Sequence, residues 1–224
     1  MLQEKKKAVA GAVLGLSLFA ANANIFFPRF DTVADIPKQY FSEKRTIYGR
    51  VERVIDGDTV RIRHCSTRFA CPKEADPKTR RIYDSTLSIR IYGVDCPELQ
   101  KRKTDLPSQP FAEEAKEFAS GLVLDKTVRV KLLRKDQYGR AVGKVEKNGW
   151  FGTKKDLSVQ LIDRGLASLY TGGGAEYDGN RELLEQKQKQ AERKKKGIWK
   201  AGSDNLVTPA EYKRQQKLHR EAVR

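Results

Sequence analysis

The run Leu87 to Glu98, reading L-S-I-R-I-Y-G-V-D-C-P-E, constrains the fold more than any other stretch. Leu87, Ile89 and Ile91 alternate with Ser88, Arg90 and Tyr92. A period of two puts the apolar set on one face of a strand and the polar set on the other. A helix would scatter both sets around its circumference, so the segment has to pair into a sheet that buries one side. Gly93 and Pro97 then punctuate the strand with a turn. Within nine residues the run offers one guanidinium, Arg90, and two carboxylates, Asp95 and Glu98. A strand ending in a tight turn can aim all three at one point. The plainer alternative is a half-buried strand with ordinary surface charges.

Around this run the chain reads as short strands interleaved with helices. Ile47 to Ile55 alternates, Asp56-Gly57-Asp58 is a turn, and Thr59 to Arg63 returns with Val60 and Ile62 inward. Thr127 to Leu133 and Ala141 to Lys147 form a second strand pair. Helices are expected over residues 110–122, 156–164 and 181–196, the second closed by Gly165 and the third by Gly197, with Ile198 and Trp199 tucked into the core. Five twisted strands with three helices fit a five-stranded OB-fold barrel capped by helices, an α+β arrangement. Residues 28–45 show no period and read as a linker. Residues 46–200 form the domain, with 65–84 an inserted, basic loop. Residues 201–224 read as a charged, partly disordered tail.

The N-terminus adds Lys5, Lys6 and Lys7 and then 20 uncharged residues, 8–27. That is about the length of a membrane-spanning helix, ~20 residues. A signal-anchor is favoured; cleavage after Ala21-Asn22-Ala23, releasing the domain into a lumen or outside the cell, is the other reading. The net charge of +16 makes nucleic acid or an anionic membrane surface the natural partner. Nothing points to a protein partner. Three cysteines and two histidines, without a C-x-x-C pair, exclude a zinc site. Cys65 and Cys71 either pair across a short loop in an oxidising compartment or stay free elsewhere.

Asp58 and Asp95, both at strand ends, are candidate ligands for a hard cation, and an all-oxygen set favours Ca²⁺ over zinc or copper. Asp56 is a turn-former that bonds its own backbone. Arg90 and Arg140 carry forked donors that match a phosphate's oxygens. Glu98 is placed to take a proton from water.

Three segments, Ile55-Asp56-Gly57-Asp58-Thr59, Arg90 to Glu98 and Asp136-Gln137-Tyr138-Gly139-Arg140, agree in order and residue type with the catalytic set of the staphylococcal nuclease family. The resemblance covers roughly Ile47 to Trp199. It is looser but visible with the family's membrane-anchored fungal mitochondrial members, through Gln109-Pro110-Phe111, Glu114-Ala115 and Pro209 to Lys213. The resemblance implies the same barrel, hydrolysis of DNA and RNA to 3′-phosphate ends, Ca²⁺ as cofactor with the Cys96 backbone carbonyl as a ligand, and a membrane, mitochondrial location. It also implies nucleotide contacts at Tyr138 and at Gln137, where the family often has lysine. Tyr170 is a further candidate for stacking on a base. The rival is a non-catalytic OB-fold module or tethered scaffold that binds nucleic acid without cutting it.

Overall fold

The computed structural model describes residues 28–71, 82–100, 107–149, 152–202 and 207–222. The candidate anchor, 8–27, and half of the insert, 72–81, lie outside the described residues. Among the described residues no helix is long and apolar enough to cross a membrane.

Strand β1 (Thr46–Asp56) turns at Gly57 and Asp58 into β2 (Thr59–Cys65), which pairs antiparallel with β3 (Leu87–Ile91). A short β4 (Val94–Asp95) follows. On its other side β1 pairs with β5 (Thr127–Lys135), itself paired with β6 (Ala141–Asn148). Then β6 runs parallel to β3, with Ile89 opposite Ala141 and Arg90 opposite Val142. This last pairing closes the five strands into the expected barrel and leaves β7 (Lys154–Asp156) hanging on β6. Closure removes the open edges that an isolated sheet would expose. The alternation in β3 holds: Leu87, Ile89 and Ile91 are buried inside, while Ser88 and Arg90 sit half-buried outside.

Besides a short α1 (Lys38–Ser42), the three expected helices appear as α2 (Ala112–Val123) on β1, α3 (Leu157–Asp163) and α4 (Arg181–Arg193). Asp156 caps α3, its side chain accepting from the Ser158 amide. Gly165 ends α3 at φ +70°, and a Cβ there would lie 2.4 Å from the Lys196 carbonyl oxygen. Ile198 donates to the Gly165 carbonyl (2.9 Å), so the exits of α3 and α4 seal one another. Ile198 and Trp199 are buried with Ala191 in a small cluster against Phe111, separate from the barrel core.

One expectation is corrected. Residues 28–45 are not a linker, because Phe30, Val33, Ile36 and Phe41 are buried in the core. The polar residues between them hide an apolar set that only the folded barrel can cover. The charged tail, expected to be partly disordered, contains a helix, α5 (Pro209–Ala222). Its start was legible as Thr208-x-x-Glu211: the Thr208 amide and hydroxyl donate to Glu211 Oε2 (2.9 Å each), and the Glu211 amide donates back to Thr208 Oγ1 (3.2 Å). Of the two states open to Cys65 and Cys71, the structure has the disulfide.

The segment before β1 is held by His64. Its Nδ1 accepts from the Phe30 amide (3.1 Å) and its ring stacks on Phe30 at 4.9 Å. Burial, then the Arg29 charge, push the imidazole down to about 4 from 6.5. The unfolded chain therefore binds this proton more readily, and the stability that neutral His64 confers is full above pH 6.5 and lost as pH falls towards 4. Thermal melts across that window should fall more steeply for the wild type than for His64→Gln. The β1–β2 turn gives a second expectation. A Cβ on Gly57 would lie 2.7 Å from Cys96 Sγ and 2.8 Å from the Ala115 Cβ. Gly57→Ala should cost about 1–3 kcal/mol by overpacking, read as a lowered melting temperature.

Candidate active site

The turn after β1 is wound tightly. Asp56 Oδ1 accepts from the Asp58 amide (3.1 Å), the turn-forming bond expected of it. That bond swings Asp58 inward, where the residue is only 3% exposed. Asp58 Oδ1 accepts from the Thr59 hydroxyl (3.0 Å), and Oδ2 accepts from the Cys96 amide (3.0 Å). The Ile91 amide donates to the Asp58 carbonyl (2.7 Å). Residues 38 positions apart are thus tied together before any charge is considered.

Arg90 completes the knot. Its Nη1 pairs with Asp58 Oδ1, and its Nη2 donates to Asp95 Oδ1 (2.8 Å) and to the Val94 carbonyl (3.1 Å). Asp95 is itself 5% exposed, fixed by pairing of β4 with β8 (Ser168–Leu169). The Tyr170 ring centroid lies 5.7 Å from the Arg90 guanidinium. Burial works against the charge on Arg90, but Asp58 and Asp95 together outweigh it and hold its proton far more tightly than usual. Asp58, Arg90, Asp95 and Tyr170 are therefore in one place, as the sequence implied.

Glu98 follows at the end of the same turn, half-buried. It lies close enough to Asp56 to act on its ionisation: burial first, then Asp58, with a further contribution from Glu98, push the Asp56 carboxyl up to about 7. Sequence alone marks Asp56 as a turn-former only; in the fold it also joins the charged cluster, and burial and its neighbours raise its own carboxyl. The sequence gives Gln109 no role of its own beyond its place in the Gln109-Pro110-Phe111 likeness at the start of a helix. It is nonetheless buried and bonded to the Glu98 backbone.

Arg140 arrives from the β5–β6 turn. Asp136 Oδ1 accepts from the amides of Tyr138 and Arg140 (2.9 Å each), and Asp136 Oδ2 accepts from Arg140 Nε (2.7 Å). Burial opposes the Asp136 charge, yet these bonds hold its carboxyl below the usual range. Arg140 immediately precedes Ala141, which sits opposite Ile89, so the barrel's parallel closure brings it to the strand beside Arg90. Arg90 pairs with Asp58 and Asp95, and Arg140 pairs with Asp136. Tyr138 is exposed and lies 5.4 Å from the Arg140 guanidinium. Gln137 is exposed in the same turn.

The donor chemistry fits a hard cation. Asp58 and Asp95 pair with the Arg90 guanidinium, and Asp56, close to Asp58 and Glu98, adds a further carboxyl group to the turn in a strongly basic chain. No group of three or more His, Cys, Asp or Glu among the described residues is arranged to hold a metal. Asp58 and Asp95 are the two buried carboxylates held side by side there by Arg90. The Cys96 thiol is buried and pushed well up, by burial first and then by Asp58 and Asp56.

Comparison with known proteins agrees with this geometry. A family model described as staphylococcal nuclease homologue matches residues 88–201. Endonuclease Htp3 of Saprolegnia parasitica is 40% identical over 200 residues, spanning 89% of this chain and 91% of that protein. The probable endonuclease LCL3 of Komagataella phaffii is 36% identical over 198 residues, 84% of this chain and 83% of that protein. The probable endonuclease LCL3 of Scheffersomyces stipitis is 35% identical over 195 residues, 85% and 81% of the two chains. By the span of these matches, and by the barrel that brings Asp58, Arg90 and Asp95 together, the chain belongs to the staphylococcal nuclease family.

Proposed function

We propose that the chain is a Ca²⁺-dependent nuclease that hydrolyses phosphodiester bonds of DNA and RNA. The observation that carries this reading is one guanidinium, Arg90, held between two buried carboxylates, with Glu98 acting on the neighbouring Asp56 and Arg140 leading into the strand paired with β3. The endonuclease names of the relatives support cutting within a strand. Asp58, Asp95 and the Cys96 carbonyl would hold the ion, which when bound supplies positive charge to the phosphate. Glu98 accepts a proton from the attacking water. The water oxygen bonds to phosphorus as the bond to the 5′-oxygen breaks, the leaving oxygen takes a proton from solvent, and a 3′-phosphate end remains. Arg90 and Arg140 offer forked donors to the phosphate oxygens, where charge accumulates during the step. Tyr138 and Tyr170 offer ring faces to the neighbouring bases, and Gln137 a neutral contact where a lysine would bind a terminal phosphate.

Hydrolysis of single-stranded DNA should require added Ca²⁺ and stop with chelator, and Glu98→Gln should lower kcat by about 10²–10⁴-fold. Activity indifferent to both would overturn the reading, and tight, salt-sensitive binding without scission would replace it with the binding module. The uncharged segment 8–27 behind Lys5 to Lys7 supports a membrane tether, and likeness to the anchored members of the family supports mitochondria. The full-length chain should then resist carbonate extraction; release by carbonate, or a mature N-terminus at Asn24, would leave it untethered.

A further inference from the structure

Glu98 has to be aimed, yet it stands at the mouth of a loop that leaves the barrel. Three hydrogen bonds tie the two ends of that loop into a short ladder. The Glu98 amide donates to Gln109 Oε1 (2.8 Å), the Gln109 amide donates to the Glu98 carbonyl (2.9 Å), and the Gln100 amide donates to Ser108 Oγ (2.9 Å). Gln109 is 5% exposed, so its amide is a buried polar group with both ends engaged. The other end, Nε2, donates to the carbonyl of Val207, 98 residues away (3.2 Å). Val207 stands just ahead of the capping box that starts α5, and Tyr212 in the first turns of α5 donates its hydroxyl to the Pro107 carbonyl. Both Val207 and Tyr212 lie beyond the 88–201 span that the family model matches.

We infer that Gln109 is a positioning residue for Glu98, and that the segment Val207 to Tyr212 braces it, so that the C-terminal helix supports the active site. The inference rests on the nuclease reading, in which Glu98 takes the proton. A side-chain amide suits the task because one end accepts from the Glu98 backbone while the other donates to the brace. An isosteric apolar side chain would leave the Glu98 amide without that acceptor and free the backbone that orients the carboxylate.

The test uses the full-length chain, with kcat and KM for single-stranded DNA in Ca²⁺. Gln109→Leu should lower kcat by about ten- to a hundredfold, the scale of a small misplacement, with little change in KM. Tyr212→Phe, which removes one hydroxyl, should lower kcat by a smaller factor. In a Glu98→Gln background, Gln109→Leu should cost no further activity, because it acts only through the side chain already removed. A purely structural role would lower activity in both backgrounds alike, and that result overturns the inference. So does an undiminished kcat in Gln109→Leu, or in Tyr212→Phe should the leucine variant fail to fold. Full activity in Glu98→Gln would sink the nuclease reading itself, whereas an inactive Glu98→Gln beside an unaffected Gln109→Leu sinks only the positioning role.

Discussion

One guanidinium organises the site. Asp58 and Asp95 come from separate turns, and two buried carboxylates so close would repel one another without a cation between them. Arg90 supplies that cation from β3, reaching Asp58 with one nitrogen and Asp95 with the other. Removing one partner of such a buried set leaves an uncompensated charge, which is why breaking it costs far more than a surface pair would. The acid above the turn, Asp56, shows what happens without such a partner: burial and its neighbours push its carboxyl up to about 7.

The barrel makes that arrangement possible through its one parallel contact. Antiparallel pairing alone would leave β3 and β6 as open edges at opposite ends of the sheet, with Arg90 on one and the turn carrying Arg140 beside the other. Closure puts Arg90 opposite Val142, and the two turns become neighbours. Helices then lock β3 from outside. The Tyr92 hydroxyl donates to Asp156 (2.6 Å) and accepts from Asn180 (3.1 Å), while the Ser158 hydroxyl donates to the Tyr92 carbonyl (2.7 Å). The residue two after Arg90 is thereby fastened to the caps of both α3 and α4, so the arginine stands on a strand held from three sides.

Charge is divided between scales. The chain as a whole is strongly positive and draws polyanions at long range. The turn that holds Arg90 is by contrast rich in carboxyl groups, with Asp56, Asp58 and Asp95 close together.

Much of this was legible in the chain. The alternation in Leu87 to Ile91, the Asp-Gly-Asp turn and the three helix patterns depend on local periodicity and turn chemistry, and they reappear in the fold at nearly the same residues. The identity of Asp58, Arg90 and Asp95 as a set was also readable, since residue type within a turn survives without tertiary context. What was not readable needed partners far along the chain. Phe30 and Phe41 look like linker residues until β2 and β5 exist to cover them, and Gln109, legible only as part of a helix-start motif, has no task until Glu98 and Val207 close on its two ends. Local sequence determines which strands, turns and charges are present; only the closed barrel decides which of them meet, because burial and bonding across 38 to 98 positions are properties of the packed chain and not of any segment in it.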